Sequence, residues 1–152
     1  MSLLREYVKI ILLESEIVEH DGAGIIIVRE FDGIWKVLGL EDDDGMDFPK
    51  GSAEAGEDPM ETARRETEEE ASLVAADLDF RWGKDPLIID GHLFLYLAAT
   101  DANPKIQKNP ESGKREHKSV QWLSFDEAEK SALYFLRPGV VWAREKVHLD
   151  EE

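Results

Sequence analysis

A continuous run of β-branched side chains near the start of the chain constrains the fold most. The stretch from Ala23 to Arg29 holds Gly24, three consecutive isoleucines and Val28, and this composition predicts a buried strand. Its partner is predicted at Trp35–Leu40, which is also rich in branched and aromatic residues. Asp32-Gly33 lies between the two runs and predicts a tight hairpin turn.

Strands and helices alternate along the rest of the chain, and this favours an α/β layered domain. The 152 residues contain no internal repeat, low-complexity tract or linker, so we predict a single domain over residues 1–152. Residues Leu3–Ile17 fit a strand or a helix equally well. The other predicted elements are an acidic loop at Glu41–Met46, a strand at His92–Ala99, a long polar loop at Asp101–Lys118, a short strand at Ser119–Leu123, and helices at Phe125–Leu133 and Pro138–Val147.

A helix with strong start signals is predicted from Asp58 to about Ser72. Asp58 is a favourable N-cap residue, Pro59 takes the first helical position, and Glu61 completes a capping box. At 100° per residue, one stripe of this helix can pack on a sheet, and three glutamates lie along its border. The stripe is Met60, Ala63, Thr67, Ala71 and Val74, and the glutamates are Glu66, Glu69 and Glu70.

Three like charges on one helix face repel one another unless a cation lies between them. Carboxylates with open water positions suit Mg²⁺ or Mn²⁺, which prefer oxygen ligands. A solvated acidic helix face is the commoner explanation of such a run taken alone. The spacing of the surrounding residues favours the metal site.

These residues lie within a stretch that resembles the Nudix box. The lead-in Phe48-Pro49-Lys50-Gly51 and the turn Glu54-Ala55-Gly56-Glu57 also resemble that family. Thr67 departs from the usual aliphatic residue, and Ser72 stands where glycine is usual, although a positive φ is costly without glycine. The matching positions are Gly51, Glu57, Arg65, Glu66, Glu69, Glu70 and Leu73.

The resemblance implies a Nudix-type α/β/α sandwich with a mixed central sheet, and it implies roles for individual residues. Glu66, Glu69 and Glu70 would hold Mg²⁺ or Mn²⁺, together with the backbone carbonyl of Lys50. Arg65 would orient Glu66 or Glu70. Gly51 and Glu57 would have structural roles, with Glu57 tying the loop to the helix. The reaction would be attack of water on a phosphorus atom of a diphosphate bridge.

Composition excludes several other functions. The chain has no cysteine, which removes disulfides, thiolate zinc sites and cysteine nucleophiles. No signal peptide or membrane-spanning segment is visible, so we expect a cytoplasmic protein without a membrane partner. The formal net charge of −16 repels nucleic acid backbones and makes nucleic acid an unlikely partner. Cations held between the protein and an acidic substrate would reconcile this charge with a small nucleotide.

The loop Asp101–Lys118 is locally basic in this acidic chain, and it holds the candidates outside the box. Glu116-His117, followed by Trp122 and an acidic helix start, resembles dinucleoside polyphosphate hydrolases of the family. This makes Glu116 a candidate catalytic and metal-binding residue; Glu111 is the fallback, and one more solvated acid is the alternative. Candidate phosphate contacts are Lys50, Lys114, Arg115 and Lys118, with Lys105 and Lys108, unless these are ordinary loop solubilisers. Phe80 and Trp82 are the better candidates for base stacking.

The whole pattern predicts a Nudix pyrophosphohydrolase that is most similar to the small dinucleoside tetraphosphate hydrolases. Diadenosine tetraphosphate is the expected substrate. The alternatives are an ADP-ribose or nucleoside triphosphate pyrophosphatase, an enzyme acting on the 5′ end of RNA, and a non-catalytic nucleotide-binding module. Degenerate modules usually lose carboxylates, and this chain keeps them. The sequence leaves the oligomeric state open.

Overall fold

The computed structural model describes residues 18–107, 117 and 119–149. Their strands form one mixed sheet in the order β3-β2-β1-β6-β5, while β4 pairs with β1 and β7 pairs with β2. The predicted segment Leu3–Ile17 and the greater part of the polar loop lie outside the described residues. The strands are β1 (Gly22–Phe31), β2 (Ile34–Asp42), β3 (Gly45–Asp47), β4 (Lys50–Ser52), β5 (Leu87–Ile89), β6 (Leu93–Ala99) and β7 (Val120–Leu123).

Strand β1 lies at the centre of the sheet. It is buried from Gly22 to Val28, so the buried strand that the β-branched run predicts is confirmed. It pairs in parallel with β6 along one edge. On the other edge it changes partner: Gly22–Gly24 pairs with β4, and Val28–Phe31 pairs with β2. Asp32 and Gly33 both have positive φ, 49° and 82°, so the predicted hairpin turn is confirmed. The sheet therefore forks where β4 and β2 separate along β1.

Side chains alternate along β1 between two cores, one on each face of the sheet. Ile25 and Ile27 belong to the core beneath α1 (Pro59–Ala71), whereas Ile26 and Val28 belong to the core beneath α3 (Arg137–Leu149). The short helix α2 (Phe125–Ser131) covers the second face beside α3. The predicted α/β/α sandwich is confirmed.

The prediction of an acidic loop at Glu41–Met46 is wrong. Strand β2 continues to Asp42, β3 begins at Gly45, and Glu41 pairs with Met46 across the hairpin. Met46 is buried, and the Glu41 carboxylate accepts a hydrogen bond from the Ser119 hydroxyl at 2.8 Å. The dense acids hide this hairpin, and the contact of Glu41 with Ser119 depends on a partner that is distant in sequence.

Helix α1 begins as its capping signals predict. Asp58 accepts from the Glu61 N–H at 2.9 Å, and the reciprocal bond completes the capping box. The predicted stripe is confirmed at Ala63, Thr67 and Ala71, which are buried.

The prediction is wrong at the C-terminal end of this stripe. Val74 is exposed because α1 ends at Ala71, and Leu73 is buried there instead. Ser72 adopts the left-handed conformation, with φ 60° and ψ 29°, at the position where the family usually has glycine.

Among the helices that the structure describes, none is long and apolar enough to cross a bilayer.

Candidate functional site

The candidate site begins where the backbone of β4 meets helix α1. A Cβ atom added to Gly51 would lie 2.1 Å from Cδ of Glu66 and 2.3 to 2.4 Å from its two carboxylate oxygens. The Glu66 carboxylate therefore rests directly on the backbone of Gly51. This close approach is the physical reason for glycine at position 51, and it fixes Glu66 at the edge of the sheet.

Arg65 connects the loop to the acidic face of the helix. Its Nε and Nη2 atoms donate to the two carboxylate oxygens of Glu57 at 2.8 and 3.0 Å, which is a bidentate fork. Its Nη1 atom donates to Glu66 at 3.0 Å and to Glu69 at 3.2 Å. Nη2 also donates to the backbone carbonyl of Ser52 at 2.8 Å. One guanidinium thus gathers two of the predicted metal ligands.

Glu57 ties the loop to the helix, as the resemblance implies. Besides Arg65, it accepts from the backbone N–H of Glu54 at 2.8 Å and from the hydroxyl of Thr62 at 2.9 Å. The hydrogen bonds from Arg65 dominate, and they lower the pKa of Glu57 from 4.5 to about 2. The same contact with Glu57 raises the pKa of Arg65, so both partners are charged.

Lys50 contributes its backbone to one side of the site and its side chain to another. Its backbone N–H donates to Oε2 of Glu70 at 3.2 Å, which places Glu70 against β4. The Lys50 ammonium lies 3.3 Å from a carboxylate oxygen of Asp47 and 5.6 Å from the ring centroid of Phe135. Lys50, Gly51, Glu57, Arg65, Glu66, Glu69 and Glu70 therefore lie in one contiguous cluster at the branch of β4.

The donor set of this cluster fits Mg²⁺ or Mn²⁺. It consists of carboxylate oxygens without sulfur or imidazole, and these cations prefer such ligands. The cradle formed by Gly51 holds Glu66 close to the backbone, and Glu70 contacts the Lys50 peptide. Glu66 and Glu69 are drawn toward Arg65, which supplies positive charge beside them.

A second cluster with possible metal ligands lies across β3. Among the described residues, ligand atoms of Asp42, Asp47 and His117 lie within 4.8 Å of one another. Asp47 already accepts from the Phe48 N–H at 2.8 Å and lies 3.1 Å from Nε2 of His117. These contacts and the Lys50 ammonium account for the short distances, so we assign this cluster a structural role.

The predicted loop residues Glu116, Lys114, Arg115 and Lys118, with Lys108 and Glu111, lie outside the described residues, and their roles stay predictions. His117 is described and is buried against Asp47. Lys105 is at the other end of the loop, where its backbone N–H donates to the Ala71 carbonyl at 2.9 Å. Its carbonyl accepts from the Ser72 hydroxyl at 3.0 Å, and Ser72 also accepts from the Gln107 amide at 2.7 Å. The start of the loop therefore caps the C-terminal end of α1.

Phe135 lies beside Lys50, and neither it nor its neighbour Tyr134 was singled out from the sequence. Tyr134 is 83% exposed and Phe135 is 45% exposed, and both belong to a short 3₁₀ turn that precedes α3. Their exposure is visible only in the structure, so no local sequence signal identifies them. The favoured stacking candidates pack differently: Trp82 meets Trp35 edge to face, and Phe80 is partly buried beneath Arg64.

The fold and this cluster together define a class of protein. The fold is a mixed sheet between helical layers. At the site, Gly51 of the short strand β4 contacts Glu66 of the acidic helix α1. The NUDIX domain profile matches residues 18–143. The chain therefore belongs to the Nudix family, and the expected Nudix pyrophosphohydrolase class is confirmed at the level of the family.

Several curated relatives are similar to parts of this chain. Nudix hydrolase 4 of Arabidopsis thaliana is 36% identical over 93 residues, which cover 57% of this chain and 41% of that protein. An RNA pyrophosphohydrolase of Legionella pneumophila is 27% identical over 131 residues, covering 75% of this chain and 74% of that protein. The asymmetrical bis(5′-nucleosyl)-tetraphosphatase of Sus scrofa is 33% identical over 97 residues, covering 57% and 60%.

Solved structures share the fold. A binary complex of a C. elegans Ap4A hydrolase has a TM-score of 0.68 at 23% identity, covering 86% of this chain and 99% of that chain. The NUDIX domain of Shewanella oneidensis NrtR in complex with ADP ribose has a TM-score of 0.61 at 16% identity, covering 97% and 99%. At these identities the likeness establishes the fold alone.

Proposed function

We propose that this protein hydrolyses a diphosphate linkage in a nucleotide with the help of Mg²⁺ or Mn²⁺, and that its substrate is a dinucleoside polyphosphate such as diadenosine tetraphosphate. The observation that carries the proposal is the convergence of three groups at the branch of β4. Glu66 rests on Gly51, Arg65 gathers Glu66 and Glu69, and Glu70 accepts from the Lys50 backbone. A fold without this chemistry has no need for such crowding of like charges.

The chain's own groups have separate tasks in this proposal. Glu66, Glu69 and Glu70 would hold the cations with the carbonyl of Lys50, and Arg65 orients Glu66. When bound, a divalent cation would neutralise charge on the phosphoryl oxygens and lower the pKa of a water molecule. Water attacks phosphorus and gives up a proton to a carboxylate or to solvent, the bridging P–O bond breaks, and the leaving phosphate takes the electron pair. Diadenosine tetraphosphate then yields AMP and ATP.

Glu116 is proposed as a further acid that holds a cation or accepts a proton from the attacking water. Sequence position supports this role: its neighbour His117 is buried against Asp47, three residues before Lys50. Lys114, Arg115 and Lys118 belong to the same loop and are proposed to contact the phosphates beyond the cations, as is the ammonium of Lys50. A polyphosphate chain needs more such contacts than a single diphosphate.

Tyr134 and Phe135 are proposed to bind a nucleobase. The Lys50 ammonium lies over one face of the Phe135 ring, so a base stacked on the other face would lie near this proposed phosphate contact. Exposed aromatic rings bind planar bases by stacking, which contributes about 1 to 3 kcal/mol per base. This arrangement supports a nucleotide in preference to inorganic diphosphate.

The relatives support more than one substrate. The similarity to the Sus scrofa tetraphosphatase favours a dinucleoside polyphosphate. The Legionella pneumophila relative is named an RNA pyrophosphohydrolase, and this keeps the 5′ end of RNA as a second candidate, against the net charge of −16. ADP-ribose, a nucleoside triphosphate and binding without turnover are the remaining alternatives.

A nucleotide panel with product analysis tests the proposal. The purified protein is incubated with diadenosine tetraphosphate, ADP-ribose, ATP and a 5′-triphosphorylated RNA oligonucleotide, each with Mg²⁺, Mn²⁺ or a chelator. We expect AMP and ATP from diadenosine tetraphosphate with either metal, and no product with the chelator. Survival of all four compounds would contradict the enzyme and favour a binding module.

The matched variant is Glu70→Gln, which keeps the size of the side chain and removes its charge. We expect turnover to fall by about three orders of magnitude while the unfolding midpoint in urea changes little. Glu68→Gln on the exposed side of the same helix is the control. Equal turnover in the two variants would remove Glu70 from the metal site.

A further inference from the structure

A chain of hydrogen bonds reaches the candidate site from a residue outside the Nudix box. Nε2 of His20 lies 2.8 Å from the hydroxyl oxygen of Thr62. The Thr62 hydroxyl donates to Oε1 of Glu57 at 2.9 Å, and Glu57 binds Arg65 through its fork. The chain therefore connects the segment before β1 to the guanidinium that gathers Glu66 and Glu69.

The Thr62 hydroxyl has a single hydrogen to donate. A carboxylate accepts only, so this hydrogen is directed to Glu57, and Nε2 of His20 contacts the same hydroxyl oxygen. Nδ1 of His20 lies 2.9 Å from the Val18 carbonyl oxygen, so both ring nitrogens have polar contacts. The ring of His20 is held in place by its edge contact with Phe94, at a centroid distance of 5.9 Å.

A comparison with Thr67 on the same helix indicates that this orientation is not a general habit of buried threonines here. Both side chains are fully buried. Thr67 donates its hydroxyl hydrogen to the carbonyl of Ala63, four residues earlier, at 2.7 Å. This is the usual bond of a helical threonine. Thr62 directs its hydroxyl to a side chain of the loop instead.

We propose that Thr62 and His20 are positioning residues, which hold Glu57 and thereby set the orientation of the Arg65 guanidinium toward Glu66 and Glu69. His20 lies outside the Nudix box, and Thr62 lies within its span but is not one of the matching positions. The consequence for turnover rests on the proposed function, whereas the orientation of Arg65 does not. The Glu57 carboxylate accepts four hydrogen bonds, from Thr62, the Glu54 N–H and two Arg65 nitrogens, so loss of the Thr62 hydroxyl removes one of them and loosens the fork.

The experiment measures the Nε–H resonance of Arg65 and its exchange with water by NMR, in the full chain without metal. Thr62→Val keeps the shape of the side chain and removes the hydroxyl. We expect the Arg65 Nε–H resonance to shift and its exchange with water to become at least about tenfold faster, since one hydrogen bond to the charged network is lost. Thr62→Ser keeps the hydroxyl and should restore the wild-type spectrum.

Thr67→Val is the matched control because it removes a buried hydroxyl from the same helix without touching Glu57. It should leave the Arg65 resonance in place, although its unfolding midpoint falls. His20→Phe keeps the ring against Phe94 and removes the ring nitrogen that contacts Thr62, and it should change Arg65 in the same direction as Thr62→Val by a smaller amount. It also tests the chain should Thr62→Val fail to fold.

Turnover provides the second measurement. If the proposed function is right, Thr62→Val lowers kcat about tenfold with KM almost unchanged, because Arg65 orients carboxylates rather than the nucleotide. An inactive wild-type protein would refute the proposed function while leaving the Arg65 measurement decisive. An Arg65 Nε–H resonance that is unaffected by both Thr62→Val and His20→Phe would overturn the positioning role.

Discussion

Replacement of Gly51 by alanine tests the geometry of the candidate site most sharply. The added methyl group would lie 2.1 Å from Cδ of Glu66, whereas Cβ atoms are essentially never found closer than 3.0 Å to such a neighbour. The Glu66 carboxylate must therefore retreat by about 1 Å. Its 3.0 Å hydrogen bond from Arg65 must stretch or break with it.

The effect on stability and the effect on activity differ in size. The obstructed carboxylate is the end of a flexible side chain, so it can move at a cost of about 1 kcal/mol in the free energy of unfolding. Displacement of a reacting geometry by 1 Å lowers turnover by about 10²-fold. We expect this loss in the release of AMP from diadenosine tetraphosphate, together with weaker Mn²⁺ binding measured by electron paramagnetic resonance.

A double-mutant cycle with Glu66→Ala isolates the contact, and Ser52→Ala in the same strand is the control. In the Glu66→Ala background the methyl group at position 51 meets no carboxylate, so its effect on stability and Mn²⁺ binding should largely disappear. Wild-type turnover in Gly51→Ala would refute the reasoning. An equal effect of the methyl group in both backgrounds would show that the backbone, rather than Glu66, resists it.

Three further perturbations test the ion pair of Glu57, the end of helix α1 and the proposed role of Glu116. Because the pKa of Glu57 is lowered from 4.5 to about 2, its charge stabilises the fold fully above pH 4.5, and this contribution is lost as the pH falls toward 2. In Glu57→Gln, the free energy of unfolding measured by urea titration should therefore fall less between pH 4.5 and 2, by roughly 1 to 2 kcal/mol after solvent screening. The same fall in the variant and the wild type would contradict the assigned ion pair. Ser72→Ala should lower the free energy of unfolding by about 1 to 2 kcal/mol more than Ser72→Gly. Both variants lose the hydroxyl, but only alanine is strained in the left-handed conformation at φ 60°. The opposite order would contradict the left-handed cap. Glu116→Gln should reduce kcat by at least tenfold, and a change of less than about threefold would return this residue to solvent.

The parts of the molecule that sequence predicts well are specified by neighbours within a few residues. The capping box of Asp58 and Glu61 uses contacts within one turn, so helix α1 is predictable at its start. The run of isoleucines in β1 and the Asp32-Gly33 turn are equally local. For the site, the Nudix resemblance identified Gly51, Glu57 and the acidic face of α1, but it did not give the reason for the glycine.

The features that sequence did not predict depend on contacts between distant segments. Strand β3 is short and pairs with β2 across an acidic turn, and Glu41 of this hairpin is bonded to Ser119, which lies 78 positions further along the chain. Tyr134 and Phe135 become candidates only once the fold brings them beside Lys50. The bond of Ser72 to Lys105 likewise joins residues 33 positions apart, and no local pattern reports it.

The fork of the sheet at β1 separates two branches that differ in how much room their side chains have. The branch of β4 and α1 carries the crowded backbone and carboxylates, where even one methyl group is excluded at Gly51. The branch of β2 leads through β7 and α2 to the exposed pair Tyr134 and Phe135, where side chains have room to vary. Substitutions at Tyr134 and Phe135 should therefore disturb the fold less than substitutions at Gly51. If the proposed roles hold, the preference for a nucleotide can be altered on the second branch without disturbing the carboxylates on the first.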